Sequence, residues 1–82
     1  MLNLQVLSGN IRMYRKAKGL SQNGLAAALS ISPQSVSKWE IGQMLPKIDN
    51  VVRLAEIFGI TTDELLRDDI DIPKESRKKK RK

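Results

Sequence analysis

The apolar positions of the chain recur at helical spacing, and no stretch alternates as a strand would. Leu7, Ile11 and Tyr14 stand at i, i+4 and i+7, with Lys18 continuing the row, and Gly19 is placed to stop a first helix near Lys18. Ser21 is a good N-cap for a second helix, Gln22 to Leu29, which would bury Leu25, Ala26 and Leu29. Gly24 lies inside it, at a cost of up to about 1 kcal/mol relative to alanine, and reads as a tolerated surface glycine. Only Ser30, Ile31 and Ser32 separate this helix from a third, Pro33 to Glu40. There Ser32 can cap, Pro33 suits the first helical position, and Val36 and Trp39 face inward.

Gly42 ends the third helix and Pro46 prevents an early restart. Ile48, Val51, Leu54, Ala55 and Phe58 then form a fourth amphipathic row, closed by Gly59. Thr61 and Glu64 have the spacing of a capping box and predict a short fifth helix, Thr62 to Arg67, with Leu65 and Leu66 folding back onto the core. Beyond Asp68 the periodicity dissolves into "DDIDIPKESRKKKRK". The pattern therefore predicts one all-α domain over residues 1–67 and a disordered tail over 68–82, with Ile70 and Ile72 offering at most a local contact.

Composition narrows the chemistry. The sequence holds no histidine and no cysteine. That removes the commonest general base, the commonest metal ligand, thiolate metal sites and disulfides together. No nucleophile and base stand in a catalytic pattern, so an enzyme is not expected, and nothing implies a cofactor or small-molecule effector. No charged leader precedes a long apolar run, and no segment approaches the roughly 20 apolar residues that cross a bilayer. A soluble, cytoplasmic chain is the expectation.

Charge changes the picture more. Six of the fifteen basic residues form the closing run Arg77 to Lys82, so residues 1–76 are balanced at nine basic and nine acidic. That balance is polarised. Residues 1–47 hold Arg12, Arg15, Lys16, Lys18, Lys38 and Lys47 against the single acid Glu40, whereas residues 48–76 hold eight acids and three bases. A positive half and a basic tail suit an anionic partner. Solubility charge alone is the plainer account. For the closing run the alternatives are sequence-independent attraction to nucleic acid, a localisation patch and an idle solvated end.

Two short helices joined by three residues fit a helix-turn-helix, as they fit any corner between helices. The buried pattern is more specific. Counted from Gln22, apolar residues fall at positions 4, 8, 10, 15 and 18, and Ala26 stands where two crossing helices leave little room. With "LSQNGLAAALSISPQSVSKWEIG", Pro46 and "RLAEIFGITTDELL", residues 7 to 67 resemble the XRE family of helix-turn-helix proteins, which includes the phage repressors and Cro proteins. The resemblance implies a five-helix lambda-repressor-like DNA-binding domain with its helix-turn-helix at helices two and three. It implies a sequence-specific regulator, most simply a repressor, acting on double-stranded DNA as a homodimer at a pseudo-palindromic site. A protein-binding module of the same fold, such as an antitoxin or adaptor, is the alternative.

The resemblance also assigns residues. Pro33, Gln34, Ser37 and Lys38 fall on the positions that contact bases; a merely solvated polar face is the plainer account of them. The Gln34 amide can pair with adenine and Lys38, one turn on, can donate to guanine. Gln22, Ser35 and Lys47 fall at phosphate contacts, Gln22 through its backbone and with its amide reaching for a base. Arg12 and Lys16 are either further contacts or solvated surface. Arg15 and Glu40 match a structural pair tying helix one to the end of the third helix, and Trp39 is core rather than a base-stacking surface. Two departures stand out. Ser30 occupies a turn position where the family most often has glycine, and Gly24 replaces a residue that is usually polar or acidic. A dimer interface is sought in the C-terminal helix and at Ile70 and Ile72.

Overall fold

The computed structural model describes residues 3–67. Five helices follow in order: α1 (Leu4–Ala17), α2 (Gln22–Leu29), α3 (Pro33–Glu40), α4 (Ile48–Phe58) and α5 (Thr62–Leu66). No strand occurs among the described residues. The tail over residues 68–82, with Ile70 and Ile72, lies outside them.

Local chemistry sets the helix limits. Asn3 accepts hydrogen bonds from the N–H groups of Gln5 and Val6 and starts α1; Ser21 and Ser32 do the same for Gly24 and Ser35. Gly19, Gly42 and Gly59 adopt positive φ after α1, α3 and α4, where a side chain would strain the backbone. The Thr61–Glu64 box closes in both directions. Gly24 is half-buried, and a Cβ there would stand 3.3 Å from the Ser21 hydroxyl oxygen that caps the helix.

The core draws on every helix: Leu7 and Ile11, then Leu25, Ala26 and Leu29, Val36 and Trp39, Val51, Leu54 and Phe58, and Leu65. α1 packs against α3 and α5, α2 against α3, and α4 against α5. Tyr14 stacks on Phe58 with ring centroids 5.7 Å apart, joining α1 to α4. Asn10, buried in α1, donates through Nδ2 to the carbonyls of Leu65 at 2.8 Å and Arg67 at 2.7 Å. This one amide satisfies the end of a helix too short to hold itself.

Three expectations need correction. Ile48 shares the face of Val51 but is the first residue of α4, and it is 75% exposed because, among the described residues, no element covers that end of the helix. Leu66 is exposed while Leu65 is fully buried; neighbours about 100° apart around so short a helix cannot both face the core. α5 also ends at Leu66, since Arg67 is already extended.

Candidate nucleic-acid interface

The site is the pair α2 and α3 with the three residues between them. Its turn is built by α2 ending in the left-handed region at Ser30, φ 59° and ψ 43°. The Ile31 N–H bonds to the Ala26 carbonyl at 3.0 Å, and the Ser30 N–H to Ala27 at 3.1 Å. These are the two bonds of a Schellman motif, which normally employs glycine at this position. Ser30 adopts the conformation against its intrinsic preference, by about 1–2 kcal/mol.

Arg53, one element away in sequence, completes the turn. Its Nη2 donates to the Ala28 carbonyl at 3.1 Å and its Nη1 to that of Leu29 at 3.3 Å. A cation at the carbonyl end of α2 also complements the helix dipole. Sequence reasoning counted Arg53 only as a charge. Nothing local marks it, because its partners are main-chain atoms on another helix.

α3 then divides by face. Val36 and Trp39 are buried, while Pro33, Gln34 and Lys38 are exposed and Ser37 is half-buried. Burial of Trp39 removes its ring from any outside partner, and its Nε1–H meets no acceptor among the described residues. Ser35 is half-buried, its hydroxyl 3.1 Å from that of Ser32, so it belongs to the N-terminal cap of α3. Lys47 is exposed at the N-cap of α4, and Arg12 and Lys16 are exposed on α1.

The far end of α3 is held by charge. Arg15 Nε donates to Glu40 Oε2 at 2.6 Å and Nη2 to Oε1 at 3.1 Å, a bidentate pair. The two side chains are 10% and 3% exposed. Arg15 Nη1 spends its remaining reach on the Leu20 carbonyl at 2.8 Å. The hydrogen bond to Glu40 raises the Arg15 pKa above its ordinary value, against the opposing effect of burial, with the Glu40 charge adding to the rise. The guanidinium stays charged throughout the working pH range.

Glu40 accepts a third hydrogen bond. Gln22 Nε2 donates to its Oε1 at 2.9 Å. The amide expected to reach for a base is turned inward, so the first residue of α2 and the last of α3 share one carboxylate. The structure thus brings Arg15, Gln22 and Glu40 together at one end of the site and leaves Gln34, Lys38 and Lys47 pointing to solvent.

Among the described residues no group of histidine, cysteine, aspartate or glutamate could hold a metal ion, and no helix is long and apolar enough to cross a membrane. The arrangement offers a polar helix face over a buried one and, among the described residues, no reacting pair of groups.

A family model described as helix-turn-helix matches residues 11–65. The transcriptional activator BcrR of Enterococcus faecalis is 36% identical over 56 residues, 68% of this chain and 28% of that protein. The transcriptional repressor RstR of the cryptic phage CTXphi in Vibrio cholerae is 39% identical over 51 residues, 62% of this chain and 46% of that protein. The chain thus spans less than half the length of either. Among solved structures, the restriction-modification controller protein C.AhdI of Aeromonas hydrophila superposes with a TM-score of 0.70 at 34% identity, covering 76% of this chain and 94% of that one. With helices two and three in helix-turn-helix arrangement and the family model spanning all but the ends, the chain belongs to the XRE family of helix-turn-helix regulators.

Proposed function

We propose that this chain is a transcriptional regulator that binds double-stranded DNA by sequence, with α3 in the major groove. The observation that carries the reading is the outward face of α3. Gln34 and Lys38 project from a helix whose opposite face is buried and whose last residue, Glu40, is tied to α1. In this reading Gln34 pairs with adenine, Lys38 donates to guanine, Ser37 adds an adaptable hydroxyl, and Pro33 meets a thymine methyl. Base contacts of this kind need fixed geometry, which the tie at Glu40 and the Arg53 bonds at the end of α2 favour.

Phosphate contacts would set the register. Lys47 supplies one as a point charge. Gln22 supplies another through its backbone N–H at the start of α2, where the helix dipole favours an anion; its amide stays on Glu40. Ser35 contributes through a hydroxyl it shares with the cap. Two copies on a pseudo-palindromic site would present their α3 helices to successive major grooves about 34–36 Å apart. Occlusion of a promoter is the simplest mode, making the chain a repressor. BcrR and RstR carry opposite descriptions, so the family alone does not fix the sign.

Selection from a random duplex pool at low salt tests the reading: a preferred, two-fold site is the expected outcome. On that site Gln34→Ala and Lys38→Ala each lose about 1–3 kcal/mol of binding and relax preference at one base position. Fluorescence anisotropy against the selected duplex and its single-base variants measures both. Wild-type affinity in both variants would remove α3 from the groove. Enrichment of no sequence would favour the protein-binding alternative.

A further inference from the structure

Asn23 and Gly24 form the only asparagine–glycine pair in the sequence, and the pair lies in the first turn of α2. Asn23 is exposed and Gly24 half-buried. The other asparagines, Asn3, Asn10 and Asn50, each precede a branched apolar residue, Leu4, Ile11 and Val51. The difference is chemical. An asparagine loses its amide when the backbone nitrogen of the next residue attacks its Cγ, and a side chain on that next residue hinders the approach. Glycine presents no such obstacle.

A helical backbone blocks the attack by holding that nitrogen away from Cγ. Gly24 is guarded less firmly than a residue of a helix interior. It is the third residue of α2, so its N–H has no carbonyl of the helix to bond. Ser21 Oγ holds it instead, at 2.9 Å, through a bond open to water. A Cβ on residue 24 would stand 3.3 Å from that same oxygen. The glycine that favours attack therefore also leaves room for the cap that delays it.

We propose that Asn23 is a site of spontaneous deamidation whose product lowers DNA binding. The effect on DNA rests on the reading above; the chemistry does not. When the first turn of α2 opens, the Gly24 nitrogen gives up its proton and bonds to Asn23 Cγ. The bond from Cγ to the side-chain nitrogen breaks, that nitrogen leaves as ammonia with the proton, and a cyclic imide closes. Water then opens the imide at either carbonyl, giving aspartate or its isomer with the backbone routed through the side chain. One water is consumed, one ammonia is released, and nothing is oxidised or reduced. Each product sets a carboxylate at residue 23, beside the Gln22 N–H that meets phosphate in the reading above. An anion there suits the dipole of α2 and opposes the phosphates. The aspartate product thus weakens binding without loosening the domain.

The full chain is kept in mildly alkaline buffer and sampled by mass spectrometry of its tryptic peptides. Residues 19–38 form one such peptide, with Asn23 its only asparagine. The Asn23 amide should be lost while those of Asn3, Asn10 and Asn50 persist. Ser21→Ala should speed the loss about fivefold, because removal of a cap opens the first turn. Fluorescence anisotropy on the selected duplex reads the consequence. Converted wild type and fresh Asn23→Asp should bind about threefold more weakly at low salt, the effect of one charge roughly 6 Å from a phosphate in water. Asn23→Gln, whose longer side chain closes the ring far more slowly, should keep its mass and its affinity through the same incubation. Asn23→Asp should unfold at no lower urea concentration than wild type. An Asn23 amide that lasts as long as those of Asn3 and Asn50 overturns the site. Converted and Asn23→Asp chains that bind like fresh wild type overturn its effect on DNA. The mass spectra need no duplex, so failure of the site and failure of the DNA reading are told apart.

Discussion

The α2–α3 pair is held by different chemistry at the end of α3 and at the turn between the two helices. The C-terminal end of α3 is closed by a buried, bidentate ion pair with a third partner, joining α1, the start of α2 and the end of α3 through Arg15, Gln22 and Glu40. The turn before its N-terminal end is a strained serine whose helix is completed by an exposed arginine on main-chain carbonyls. The first anchor is dry and charged, so it is costly to break. The second is more exposed to water, so it is the end that can give. The angle between α2 and α3 depends on both, but most of the resistance to disruption lies at Glu40.

The largest effect should come from breaking the dry end. Arg15→Ala leaves Glu40 buried beside a lone amide and should cost about 3–5 kcal/mol of stability by urea denaturation at neutral pH. Arg15→Lys keeps the charge but loses the fork, and should recover only part of that. Gln22→Ala removes one neutral donor from the same carboxylate and should cost about 1 kcal/mol. A stable Arg15→Ala variant with altered base preference would reverse the assignment, making Arg15 a reader rather than a tether.

The wet end should respond less. Arg53→Met keeps the bulk of the stem but returns the Ala28 and Leu29 carbonyls to water, at about 0.5–1.5 kcal/mol in the same denaturation measurement. A loss as large as that of Arg15→Ala would erase the contrast between the two anchors.

The two ends also differ in how far the sequence announced them. Arg15 and Glu40 stood out because Glu40 is the lone acid of the first 47 residues and sits at the wrong end of a helix dipole. A family resemblance then supplied its partner. The limits of α2 and α3 were legible from Ser21, Ser32, Pro33 and Gly42, since capping depends on residues within one turn. Arg53 was not legible. Main-chain carbonyls carry no sequence signature, and the helix that presents Arg53 was defined by its apolar row alone. The family resemblance implies an outward amide for Gln22; the pull of a buried carboxylate eighteen residues away outweighs that. Ile48 failed for a related reason. Periodicity assigns a face, but burial needs something opposite it, and among the described residues nothing covers the first residue of α4.

Ser30→Gly tests whether strain and clamp belong to one device. Glycine enters the left-handed region without the side-chain penalty, but its unfolded chain is freer, so the net gain should be about 0.5–1 kcal/mol. If Arg53 holds the turn against the preference of Ser30, the cost of Arg53→Met should shrink in the Ser30→Gly background. A double-mutant cycle in urea measures that coupling, since two groups acting on the same turn are not additive. Strict additivity would mean that Arg53 merely caps α2 and that Ser30 bears its strain alone. Coupling with unchanged base preference would place the fine setting of the α2–α3 angle at Glu40. Coupling with altered preference would show that the softer end tunes the reader.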